Sequence, residues 1–138
     1  MNEIVVDERT GLEDLLQCCY GAIYVYGIVA AYLADPDEAL NAMASFRKQR
    51  DLLLASIDEL GYPAPPARAA YLLTSQVSDD ASARVAAALL EENAVAHWAN
   101  ALFYLPTQIQ QRECEFLQAS AIRSFDWVGI VKAFSSAQ

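Results

Sequence analysis

Histidine is nearly missing from this chain: His97 is alone among 138 residues. Carboxylate-bridged di-metal bundles need two Glu-x-x-His pairs and two further glutamates, all pointing inward. The i, i+3 spacing matters there because it puts both side chains on one helix face. No Glu-x-x-His occurs anywhere, and Glu92 precedes His97 by five, which sets the two on different faces. Basic residues are also scarce, nine against eighteen acidic, for a net charge of −9. Such a balance repels nucleic acid and anionic membrane surfaces, so neither is expected as a partner. Cysteine is limited to Cys18, Cys19 and Cys114, an odd number without framework spacing, and reads as reduced, packed thiols in a cytoplasmic protein. Vicinal cysteines on a helix point about 100° apart, which makes a shared metal ion a weak reading. The five glycines are isolated, and no phosphate-cradling loop, dinucleotide fingerprint or Ser-His-Asp set is present.

What the chain has in quantity is apolar helix. Leu15–Ala34, LLQCCYGAIYVYGIVAAYLA, runs twenty residues without a charge. Its length could cross a bilayer. Yet it carries Tyr20, Tyr24, Tyr26 and Tyr32, its flanks are acidic, and no Lys or Arg lies close to either end. The orienting charge of a membrane span is missing, and the basic start of a secretory signal is missing too. The expectation is a mostly buried helix of a soluble bundle.

Four helices are expected, over about 11–34, 36–60, 79–105 and 108–134, in a single all-α domain. Thr10 with Glu13 has capping-box spacing. Leu12, Leu16, Cys19, Ile23, Tyr26, Ala30 and Leu33 form one seam of the first helix, and Tyr20, Tyr24 and Ile28 a second stripe. One domain of this size leaves the second stripe wanting cover, so a homodimer through the first helix is expected. Asp35-Pro36 opens the second helix and Gly61 stops it. The seam between them includes Arg50, a cation in an apolar row. Residues 61–78 contain Pro63, Pro65 and Pro66 and form an unusually long connection. An extended chain of that length reaches roughly 55 Å, beyond the about 36 Å of the second helix. It can therefore cross the whole bundle and start the third helix parallel to the second, pinned by Tyr71, Leu72 and Leu73. Ser78-Asp79-Asp80 opens the third helix, Pro106 ends it, and Thr107 with Gln110 opens the fourth. Short turns at both ends and one long crossover make a ferritin-like four-helix bundle.

The chain resembles a family of bacterial ferritin-like domains of unknown function. The resemblance is carried by IYVYGIVAAYL, by FRKQRDLLLASIDELGYPAPPARAAYLL across the second helix and crossover, by LLEENAVAHW and by AIRSFDW. These pieces span most of the chain. The resemblance implies the ferritin-like fold and no particular activity. Its members tend to carry Glu-His where this chain has Cys19-Tyr20, and His where it has Phe46, which departs from any metal site the family would imply.

Arg50, Glu91 and Arg123 each fall near the middle of a helix on its inward seam. Buried charges must pair, so an internal Arg50–Glu91–Arg123 network is expected, with Arg47 and Glu92 as alternates if the phase is off by one. The functional reading is a bundle without catalytic residues or cofactor, acting as a binding or assembly module. The alternative is a degenerate metal site drawing on Glu91, Glu92, His97 and Cys19. A small apolar ligand near Tyr24, Tyr26 and Trp98 is a third reading.

Overall fold

The computed structural model describes residues 7–68, 71, 73 and 75–136, without the side chains of 128 and 130–136. Residues 1–6, the expected Leu72 anchor and the side chains of Ile130 and Phe134 lie outside the described residues. Four helices follow one another: α1 Glu8–Tyr32, α2 Asp37–Glu59, α3 Asp80–Ala101 and α4 Thr107–Ser136. Among the described residues no strand occurs. The protein is an all-α four-helix bundle with a long crossover between α2 and α3.

The helix ends follow from local chemistry. Asp7, rather than Thr10, caps α1: its carboxylate accepts the Thr10 N–H at 2.9 Å, while Glu13 takes Arg9 instead. An ionised acceptor at the positive end of the dipole outcompetes a hydroxyl one turn later. At α2, Pro36 occupies the cap position and its carbonyl accepts the Leu40 N–H, while the Asp35 side chain accepts the Asp37 N–H. Gly61 ends α2 with φ +80. Its N–H goes to the Asp58 carbonyl and the Tyr62 N–H to Ile57, the two bonds of a Schellman motif. Asp79 and Ser82 form a reciprocal capping box at α3. The last turn of α3 tightens into a 3-10 turn, Leu102–Tyr104, because Leu105 precedes Pro106 and is forced extended. The expected Thr107 box is absent: Pro106 supplies the first carbonyl, and the Gln110 side chain reaches back to the Leu105 carbonyl.

Helices α1 and α2 form an antiparallel hairpin, as do α3 and α4. α3 also runs antiparallel to α1, since His97 meets Asp14 at one end and the Ala34 N–H meets Asp80 at the other. α2 and α3 are therefore parallel. α1 packs on both α2 and α3, which is why Leu15, Ala22, Val25 and Val29 are buried besides the expected Leu12, Leu16, Cys19, Tyr26 and Leu33. Among the described residues α1 is the one helix long and apolar enough to cross a membrane. The core is centred on Tyr26, Phe46 and Trp98, whose rings pack in series at 6.0 and 6.1 Å. Burying each of these rings contributes about 2–3 kcal/mol. The α3 core face is largely alanine, Ala83, Ala86, Ala87, Ala94 and Ala101, which lets its neighbours approach closely. α2 and α4 close the ring mainly through side chains.

The crossover is fastened to α1. The Gln17 amide donates to the Pro66 carbonyl at 3.2 Å. The Tyr71 hydroxyl donates to Gln17 Oε1 and accepts the Arg68 N–H, both at 3.0 Å. The Tyr71 ring lies on Gly21 and packs against Tyr24 at 5.9 Å. Part of the tyrosine stripe from which a homodimer was expected is therefore covered by the chain's own crossover, leaving Tyr24 38% exposed.

Candidate functional site

Among the described residues two carboxylates lie fully buried inside the bundle, one on α3 and one on α4. Glu91 receives Arg123 in a forked contact, Nε to Oε2 at 2.7 Å and an η nitrogen to Oε1 at 3.2 Å. Ser120 also donates to it, at 3.3 Å. The Arg123 guanidinium caps the Phe46 ring at 5.1 Å. Burial pushes the Glu91 carboxyl above its usual value, opposed by Arg123 and by the Tyr26 and Ser120 hydroxyls. Tyr26 in turn accepts the Trp127 indole N–H at 3.1 Å, and burial raises its phenol strongly.

Arg50 stands outside this cluster. Its Nε turns to Asp51 at 3.0 Å, at the bundle surface. The inward polar position on α2 is Gln49, one residue earlier, and it serves the second carboxylate. Glu113 on α4 accepts from the Gln49 amide, from the Trp98 indole at 3.1 Å and from Arg112 at 3.1 Å. Arg112 also donates to Ser56 at 3.0 Å. The Gln49–Glu113 cluster was not foreseen, although Glu113 sits in the apolar seam of α4 as plainly as Glu91 does in α3.

The residues named for a metal site do not converge. Glu91 is engaged with Arg123, Glu92 is exposed, and His97 lies at the groove between α1 and α3 with Nδ1 3.0 Å from Asp14. Cys19 is buried, its thiol pushed far up by burial and by nearby Glu113. Among the described residues no three His, Cys, Asp or Glu side chains come together as an ion would require. Both interior carboxylates already have an arginine, so the donor set does not fit a di-metal centre. Tyr26 and Trp98 are filled core rather than the walls of a cavity.

Open space lies elsewhere. A groove of about 410 Å³ runs between α1 and α3 under the crossover. Its α1 wall is the stripe Asp14, Cys18, Ala22 and Val25, and its α3 wall is His97, Ala94, Leu90 and Ala86. Arg68, Tyr71 and Leu73 of the crossover close one side. Because the helices are antiparallel, Asp14 and His97 share one end of the groove, and Val25 and Ala86 the other. The groove thus has a polar end and an apolar end. Burial pushes the Cys18 thiol up to about 12, so it lines the wall as a neutral group.

A domain family of unknown function, DUF4439, matches residues 11–136. The crystal structure of rv2844, a conserved hypothetical protein from Mycobacterium tuberculosis, is similar to this chain with a TM-score of 0.84. The two share 27% sequence identity over 91% of each chain. No match is found among curated proteins.

Proposed function

Since the chain belongs to the DUF4439 family, a domain of unknown function, we propose that it is a ferritin-like bundle serving as a small-molecule binding module rather than an enzyme. The order of short turn, long crossover and short turn supports the ferritin-like reading. The interior that would hold a metal pair in such a bundle is occupied by the Glu91–Arg123 and Glu113–Gln49 clusters. Both carboxylates are engaged by internal donors on each oxygen, and a group that already spends its lone pairs on neighbours is held in place rather than free to react. The three free thiols fit a reducing, cytoplasmic setting.

The observation that carries the binding role is the α1/α3 groove. Its volume falls in the range of ligand pockets, and it combines an apolar floor with a few polar groups gathered at one end. The test is titration with N-phenylnaphthylamine, a neutral probe that brightens in apolar surroundings. Saturable enhancement at one site per chain is expected, lost in Asn93→Trp, which places an indole in the groove from an exposed position on α3. No saturable binding, or equal binding by the variant with an unchanged circular dichroism spectrum, would overturn the reading.

A further inference from the structure

With the groove taken as the binding site, we infer that it selects an amphipathic molecule with a singly charged carboxylate head and an apolar tail. The shape comes from the register of the two walls. Asp14 and Val25 are eleven residues apart on α1, about 16 Å along the axis. Over that distance the lining changes from Asp14, His97 and Asn93 to Val25, Ala86 and Leu90. Ala22, Ala86 and Ala94 make its floor apolar without large side chains. A compact polar solute would leave the apolar end empty, and a wholly apolar one would bury polar groups without partners.

The charge of the head follows from which groups are already satisfied. Asp14 is engaged by His97. Five arginines meet a carboxylate: Arg9, Arg50, Arg84, Arg112 and Arg123. Arg68 does not. Among the described residues its guanidinium faces only the Tyr71 ring, at 6.0 Å, at the side of the groove. Its backbone is held there by the Tyr71 hydroxyl. In a chain of net charge −9, an arginine left without a carboxylate beside a groove is a local reversal of sign. Its planar fork matches a carboxylate's two oxygens. A monoanion suits the site better than a doubly charged phosphate, because Asp14 lines the same groove and one guanidinium offsets one charge.

The test compares decanoate, decylamine and decanol, each below its aggregation threshold, by displacement of N-phenylnaphthylamine. The expected result is decanoate binding roughly three- to tenfold tighter than decanol, the scale of one partly exposed charged contact, with decylamine weakest. Arg68→Gln keeps the backbone N–H that meets Tyr71 and should bring decanoate to the level of decanol measured in the same variant. Equal affinities for the three, or tighter decylamine, would overturn the carboxylate head while the groove stands as a site. So would an Arg68→Gln protein that keeps its preference for decanoate. If the probe itself fails to bind, the groove is not a binding site and the head-group selectivity falls with it.

Discussion

Replacing Glu113 with leucine tests whether the second interior cluster holds α2, α3 and α4 together. The substitution keeps an apolar-compatible volume and removes the acceptor of three donors. Two of them are sealed from water: Gln49 is 1% exposed and Trp98 is 0% exposed. A buried donor left without a partner costs about 1–3 kcal/mol. Arg112, whose side chain is 26% exposed, can reach water, so it adds little. Against this, removing the carboxylate relieves its own desolvation. The net expectation is a loss of about 2–3 kcal/mol. For a domain of this size each kcal/mol moves the midpoint by about 3–4 °C, so Tm should fall by roughly 6–12 °C. Urea unfolding followed by tryptophan fluorescence should show a lower midpoint with an unchanged slope. Removing the amide as well, in the double variant Glu113→Leu with Gln49→Leu, should recover part of the loss, because fewer unpaired donors remain. A single variant within about 0.5 kcal/mol of wild type, the scatter of ordinary surface changes, would refute the reasoning. So would strictly additive losses in the double variant.

Gly61→Ala should cost about 1 kcal/mol at equilibrium, since φ +80 is strained for any side chain although the space beside it is open; stability equal to wild type would contradict the Schellman assignment. Asp80 accepts the Ala34 N–H and pairs with Arg84, which hold its carboxyl below the usual value. Its contribution is therefore full above the unfolded carboxylate range and lost as pH falls through the lower folded value. Asp80→Asn should lower Tm near neutral pH and narrow its gap to wild type in acid; a gap that widens in acid would reverse the sign. Cys19, fully buried with its thiol held protonated, should resist iodoacetamide at pH about 8 until denaturant is added. Peptide mapping that finds it modified in the native protein at the rate of an unfolded peptide would contradict its burial.

The helices and their order were legible because their ends are written in short-range chemistry. Gly61, the acids at Ser78-Asp79-Asp80 and Pro106 act within one turn. The crossover was legible as reach, and Tyr71 as its anchor. The first cap was misplaced from Asp7 to Thr10 because both have a competent side chain, and only the start of α1 decides between them. The interior polar network was half legible. Glu91 and Arg123 interrupt apolar seams by charge, and the structure places them together. On α2 the same logic pointed to Arg50, while the inward residue is Gln49. At 3.6 residues per turn, adjacent positions on the edge of a seam differ by only about 100°, and a neutral amide gives a weaker signal than an arginine.

The groove was not legible for a different reason. Its walls come from α1 and α3, more than sixty residues apart in the chain, and its third side is the crossover. Gly21, isolated in the sequence, receives the flat of Tyr71, at 3.5 Å from where a Cβ would stand. That contact seats the crossover against α1, where Arg68 and Leu73 join the lining of the groove rather than the filled core. The same tyrosine that shields part of the apolar stripe of α1 thus also bounds the space that a ligand would use. This connects two features that the sequence presents separately: a stripe calling for cover, and an extended segment too long for a simple turn.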